Sequence, residues 1–229
     1  MPAQFEADYF RPYIGRSQAC RARVSHFRQV VADLPVALET PLLDIGAGLG
    51  FFMQALPSEL ARGTTLVEPS VHARRHLGET VKANVFASLS DIPPGYPLFA
   101  TITLWDVLAH VGDPVDVLTK ARHLMKDKGL LVIKTPFHPL RLFRAAKLLA
   151  PIKKGHSLLH IPSMRFHFTP NSLPVLLQVT DFRVDAWQWT SESPLVEPIG
   201  LDLAKGFLLR LAKQIVTKEV SFITVASAA

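Results

Sequence analysis

Short apolar runs alternate with stretches of helical periodicity from residue 42 to residue 136. Leu42 to Ile45, Thr64 to Val67, Asn84 to Ala87, Phe99 to Trp105 and Leu130 to Ile133 read as strands. The run from Phe99 is nearly continuous in apolar character, as a strand covered on both faces should be. Helices fit between them: Phe51 to Leu60, one opened by Pro69-Ser70, and Pro114 to Met125 with its proline near the start. Pro93-Pro94-Gly95 and Asp127 to Gly129 mark turns. Such alternation predicts an α/β protein with a doubly wound, mostly parallel sheet and right-handed crossovers. Phe182 to Trp189 and Glu219 to Ala226 bring the strands to seven. Residues 1–35 form a helical preface carrying Tyr9, Phe10, Tyr13 and Ile14, then Arg21, Arg23, His26 and Phe27. Pro35 and Pro41 bracket the linker to the first strand. Regularity breaks after Pro136, where residues 137–165 read as an insertion with one helix, Pro139 to Ala150. Asn171 to Val179 resumes helix, and Ile199 to Val216, within a second insertion at residues 198–216, adds another apolar and basic one. The whole chain, 1–229, is expected to be one domain with helical lid insertions.

The first strand runs into Gly46, Gly48 and Gly50, and the second ends on Glu68. Glycines suit a turn that needs φ values other residues resist and that lets a ligand approach bare backbone. A carboxylate at the end of the next strand can accept both hydroxyl hydrogens of a ribose. The pair describes a nucleoside-bearing cofactor over the carboxyl ends of parallel strands. A dinucleotide fold wants G-x-G-x-x-G. Here the third glycine comes one residue early, Phe51 stands where that pattern needs glycine, and the motif is D-x-G-x-G-x-G from Asp44.

Charge is uneven. No Asp or Glu occurs from Lys128 to Thr180, which holds eight Lys/Arg and four histidines: His138, His156, His160 and His167. With a whole-chain net of +6, the remainder is slightly acidic. The segment is either a solvated basic face or a surface for a local anionic partner. No apolar run reaches the roughly 18 residues of a membrane span. The first residues carry Glu6 and Asp8 and lack the apolar stretch of a signal peptide. One cysteine, Cys20, excludes an internal disulfide framework and suits a reducing cytosol.

Residues 99–136 read FATITLWDVLAHVGDPVDVLTKARHLMKDKGLLVIKTP. With the glycine motif, His167-Phe168-Thr169, Ser172-Leu173 and Asp181-Phe182, this run resembles the class I S-adenosylmethionine (SAM)-dependent methyltransferases of the ubiquinone-biosynthesis-like type, over Tyr9 to Ala226. The resemblance implies a Rossmann-like fold, SAM as cofactor and S-adenosylhomocysteine (SAH) as product. It places Asp44, Gly46, Gly48 and Gly50 at the methionine part of SAM, with Ala47 and Phe51 in the same cofactor site. It gives Glu68 the ribose, sets Pro69 and Ser70 beside the adenine, and offers the Leu89 backbone N–H. Ser88 stands where many relatives carry an Asp to the adenine amino group. Leu104 and Trp105 either flank the methionine tail or pack in the core. Ala100, Ala109 and the pair Lys128-Gly129 depart from the family pattern. Asp106 and His110 are too few ligands for a metal, so none is expected. Nor do His156 and His160 find a third ligand for zinc.

The implied chemistry is transfer of a methyl group to an oxygen, or to a nitrogen or carbon, of a small-molecule or lipid-like acceptor. SAM brings its own activated methyl, so the protein must position the acceptor and take its proton. His110, after the fourth strand, and His138, after the fifth, are the candidate bases, with a structural hydrogen-bonding role as the other reading of each. Trp105-Asp106-Val107-Leu108 is not the loop of adenine-amine methylation, and Cys20 is not a Pro-Cys nucleophile, which excludes DNA bases. RNA is disfavoured because the stacked aromatics of a recognition module are missing. The apolar and basic insertions suggest a lid that touches an anionic, lipid-like acceptor or the surface of a membrane; a lid packed on its own domain, or a dimer contact, is the other reading. The expected location is the cytoplasm, with peripheral membrane association. Two other functions stay open: a non-catalytic SAM-fold binding or scaffold protein, and an RNA-modifying methyltransferase that uses the basic segment.

Overall fold

The computed structural model describes residue 10 and residues 17–149, 163–190 and 221–229. The predicted helix over 199–216, His156, His160 and most of the first 16 residues lie outside the described residues. In chain order the elements are α1 (Ser17–Ala32), β1 (Leu42–Ile45), α2 (Phe51–Ala55), α3 (Ser58–Arg62), β2 (Thr64–Val67), α4 (Val71–Thr80), β3 (Asn84–Phe86), a 3-10 turn (Leu89–Asp91), β4 (Phe99–Trp105), α5 (Pro114–Leu124), β5 (Met125–Pro136), α6 (Leu140–Leu149), α7 (Ser172–Gln178), β6 (Phe182–Thr190) and β7 (Ser221–Ala228).

The strands form one seven-stranded sheet in the order β3-β2-β1-β4-β5-β7-β6. β1 pairs in parallel with β2 and β4, and β5 in parallel with β4, while β7 runs antiparallel to β5 and β6. The sheet is the mostly parallel Rossmann-like one expected. Every residue of β1, β2 and β4 is buried, because layers cover both faces. One core cluster contains Leu43, Ile45, Leu104, Ile133, Phe168 and Phe222; the other contains Phe27, Leu42, Phe52, Trp105, Val132 and Ile223. From β1 the chain winds outward to β2 and β3, then returns to build β4 on the other side. That reversal opens a crevice between the carboxyl ends of β1 and β4, where ligands of such sheets bind.

Three expectations need correction. The helix expected over Phe51 to Leu60 is two short helices, because Leu56 turns extended before Pro57 (φ −71°, ψ 150°); a residue ahead of proline is pushed out of the helical region. β5 begins at Met125 rather than Leu130, with an irregularity opposite Phe99 and Thr101, so the expected turn at Asp127 to Gly129 lies inside a strand with exposed residues. The last strand is shifted to Ser221–Ala228. Caps set other boundaries as expected: Asp113 accepts from the backbone N–H of Val115 and Asp116, and Pro114 follows it at the first helical position.

Candidate functional site

The turn after β1 takes left-handed backbone at Gly46 (φ 76°) and Gly48 (φ 57°). A side chain at Gly46 would collide with Val107. Beside Gly48 the nearest atom to an added Cβ is Phe10 Cε1, 3.7 Å away, an ordinary van der Waals contact. The backbone N–H groups of Gly46 and Ala47 donate to the Val67 carbonyl at 2.7 and 3.1 Å, which ties the turn to the end of β2. Ala47 is half-buried, and Phe51 is a core residue beside Phe52.

Glu68 closes the same edge. It is 4% exposed, and its carboxylate accepts from Gly48 N–H at 2.7 Å and from Ser70 N–H at 2.8 Å. Arg74 donates to the carbonyls of Glu68 and Pro69, and Ser70 caps α4 by accepting from Ala73 N–H. Ser88 N–H and Oγ–H both donate to Asp91 Oδ2, at 2.9 and 3.0 Å, around the turn that begins at Leu89. Ser88-Leu89-Ser90-Asp91 has the spacing of a capping box, which is the signal for Asp91 in the sequence.

Asp44 is 1% exposed and accepts from Thr103 Oγ–H at 2.7 Å across the β1–β4 pair. Burial raises its carboxyl from an ordinary 3.8 to about 7, the Thr103 hydrogen bond opposes that shift, and the neighbouring Glu68 charge adds to it. A cationic group arriving there would favour the ionised form.

The ends of β4 and β5 are built from side chains. Leu104 is fully buried on one face of the sheet. Trp105, on the other face, packs 4.9 Å from Phe52 and 5.6 Å from Phe27, and its indole N–H has no partner. Asp106 has φ 58°, and both its oxygens accept from Lys134 Nζ, at 2.9 and 2.7 Å. Lys134 is 1% exposed. It therefore does not belong to a solvated basic face, although it falls in the acid-free segment. His26, on α1, senses this pair. Burial, then Lys134 and Arg23, lower it from 6.5 to about 4, against a smaller opposing pull from Asp106.

His110 Nδ1 lies 2.7 Å from the Ser163 carbonyl. A carbonyl only accepts, so Nδ1 bears the hydrogen and Nε2 of the neutral ring carries the lone pair. His138 is 5% exposed, and its Nδ1 is 3.3 Å from His167 Nδ1. Burial lowers the basicity of His167. Among the described residues no group of three or more His, Cys, Asp or Glu is placed to hold a metal ion. A cavity of about 590 Å³ opens at the opposite edge, lined by Thr64, Thr65 and Tyr96 at the amino ends of the strands.

Residues 18–186 match the methyltransferase domain family. The chain belongs to that family. SAM is accordingly the cofactor of this methyltransferase domain. Solved structures share its fold. A chain of the complex between the Haloferax volcanii Trm112 methyltransferase activator and its methyltransferase partner is 14% identical, with 96% of each chain covered and a TM-score of 0.69. Magnesium protoporphyrin IX methyltransferase from Synechocystis PCC 6803, solved with bound SAH, is 16% identical, with 99% of this chain and 97% of that one covered and a TM-score of 0.59. The plantazolicin methyltransferase BpumL, also in complex with SAH, is 13% identical over 97% of this chain and 88% of that one, with a TM-score of 0.55. No curated protein matches the sequence. Among the described residues no helix is long and apolar enough to cross a membrane.

Proposed function

We propose that this methyltransferase domain is an active enzyme of the ubiquinone-biosynthesis-like type that methylates an oxygen of a small or lipid-like acceptor. The cofactor supplies a methyl group already activated on sulfur; the chain's residues bind, orient and deprotonate. The carrying observation is the join of Gly48 N–H to the Glu68 carboxylate, which holds the glycine turn and a buried acid at one edge. Gly46, Gly48 and Gly50 with Asp44 take the methionine end, Glu68 takes the ribose hydroxyls, and Ser70, Ser88 and Leu89 lie along the adenine. His110 takes the acceptor proton on Nε2, with Nδ1–H held by the Ser163 carbonyl. His138 is the second candidate.

Leu140 and Leu148 on α6 are 66% and 81% exposed, and Arg144 and Lys147 on the same helix are exposed. This surface supports a lipid-like, acidic acceptor or contact with an anionic membrane. Co-sedimentation with anionic liposomes at low salt tests it; failure to co-sediment removes the membrane reading. For the reaction, methyl-labelled SAM is incubated with phenolic and lipid-linked acceptors. His110→Ala is expected to lower turnover on the acceptor so found by about 100-fold, with SAM binding intact. Loss of SAM binding in that variant would remove His110 from the role of base.

A further inference from the structure

We propose that His26, Trp105 and Lys134 form a seat for an oxyanion, a carboxylate or phenolate oxygen, under helix α1 at the carboxyl ends of β4 and β5. The three side chains come from distant parts of the chain: Trp105 and Lys134 from neighbouring strands, and His26 from α1, whose Phe27 packs on Trp105. Trp105 and Lys134 are register partners in the β4–β5 pair. Phe27 packs on Trp105, while its neighbour His26 lies within the fields of Lys134, Asp106 and Arg23. Trp105 is 8% exposed with an unpartnered indole N–H, and His26 Nε2 is likewise buried without a partner. Native proteins rarely leave buried polar groups unpaired, so such orphans mark a place that a ligand completes.

Their chemistry restricts the ligand. An indole N–H and an ammonium only donate, so the missing group must accept. Lys134 donates to the two oxygens of Asp106 and has three N–H donors in all. Burial first, then the cations Lys134 and Arg23, keep His26 neutral against the opposing pull of Asp106. An ammonium N–H and an indole N–H in a desolvated place bind a charged oxygen more strongly than a neutral one. The acceptor molecule can supply that oxygen, and so can the carboxylate of the cofactor's methionine part; the second source rests on the methyltransferase reading, the first does not need SAM at all.

The test follows the Trp105 indole and His26 ring resonances by NMR in the full chain, assigned with Trp105→Phe and His26→Gln. Two matched pairs are titrated: SAH against 5′-methylthioadenosine, which lacks the carboxylate, and benzoate against benzyl alcohol, on the free protein and on its SAH complex. The seat predicts that a carboxylate member moves both resonances and its neutral partner does not, and that Lys134→Met weakens that carboxylate at least tenfold. SAH as the active member identifies the cofactor as the source; benzoate on the SAH complex identifies the acceptor. Trp105→Phe removes the N–H and keeps an aromatic ring against Phe27 and Phe52, so a carboxylate-specific affinity loss, absent for the neutral partner, reads the seat even if Lys134→Met fails to fold. The proposal is overturned if neither carboxylate moves both resonances, or if the neutral partners move them equally. Absence of SAH binding by calorimetry alongside a benzoate response would sink the SAM reading and leave the seat standing.

Discussion

Gly48 and Glu68 lie 20 residues apart and are joined by a backbone donor, while Asp106 and Lys134 lie 28 apart and are joined by two charged side chains. His26, which senses the second pair, comes from a helix ahead of the first strand. The proposed cofactor edge thus relies on backbone N–H groups that every sequence has, so its signature is the glycines and one acid that gathers them. The neighbouring edge relies on side chains brought together by sheet order and by α1, and its signature is spread along the chain. The two halves also differ electrostatically. Burial raises the Asp44 carboxyl to about 7 in the first, while burial and two cations lower His26 to about 4 in the second.

Lys134→Met should give the largest effect. It leaves the Asp106 carboxylate beside buried Trp105 without its partner, and breaking such a pair costs about 3 kcal/mol, the low end of the range because the Asp106 side chain is 30% exposed. Urea unfolding measures it; a loss under about 1 kcal/mol would show that the pair is solvated. Gly46→Ala comes next, at about 2 kcal/mol in the same assay, since a Cβ there meets Val107 at φ 76°. SAH binding should fall with it, because the turn must shift. An unchanged stability would mean that the first edge is less rigid than the second.

Smallest within any one pH unit are the opposite pH slopes of the two halves. Asp44 has a folded pKa of about 7 against 3.8, so it holds more protons folded than unfolded, and its contribution is lost as pH rises from 4 to 7. His26 has a folded value of about 4 against 6.5, so its contribution is present above 6.5 and lost as pH falls toward 4. Relative to wild type, Asp44→Asn should gain stability with rising pH, by about 1 kcal/mol per pH unit. His26→Gln should lose it, with a shallower slope because solvent screens a partly exposed ring. Parallel slopes in the two variants would contradict the contrast drawn between the halves.

The same contrast explains what could be read from the sequence. β1, β2 and β4 stand where their apolar runs place them, and the glycine turn and Glu68 sit together as their spacing implied. The split of the first crossover helix was signalled by Pro57, but the apolar residues on both sides carry the same periodicity across it. Lys134 looked like one more charge in a basic segment; only the pairing of β5 with β4 shows that it is buried against Asp106. His26 read as helix periodicity, since nothing local says that α1 packs its neighbour Phe27 on Trp105. The His138–His167 contact joins the end of β5 to a loop 29 residues later, beyond any spacing rule.

Calorimetric titration of SAH into wild type and Glu68→Ala tests the central claim most directly, that the Gly48–Glu68 join is the cofactor-binding edge. Micromolar binding to wild type, weakened at least 100-fold in the variant while the variant stays folded, is the predicted result, an affinity change of about 2.7 kcal/mol. Equal binding to the two proteins would contradict the assignment of Glu68, and no binding to wild type would contradict the edge as a whole.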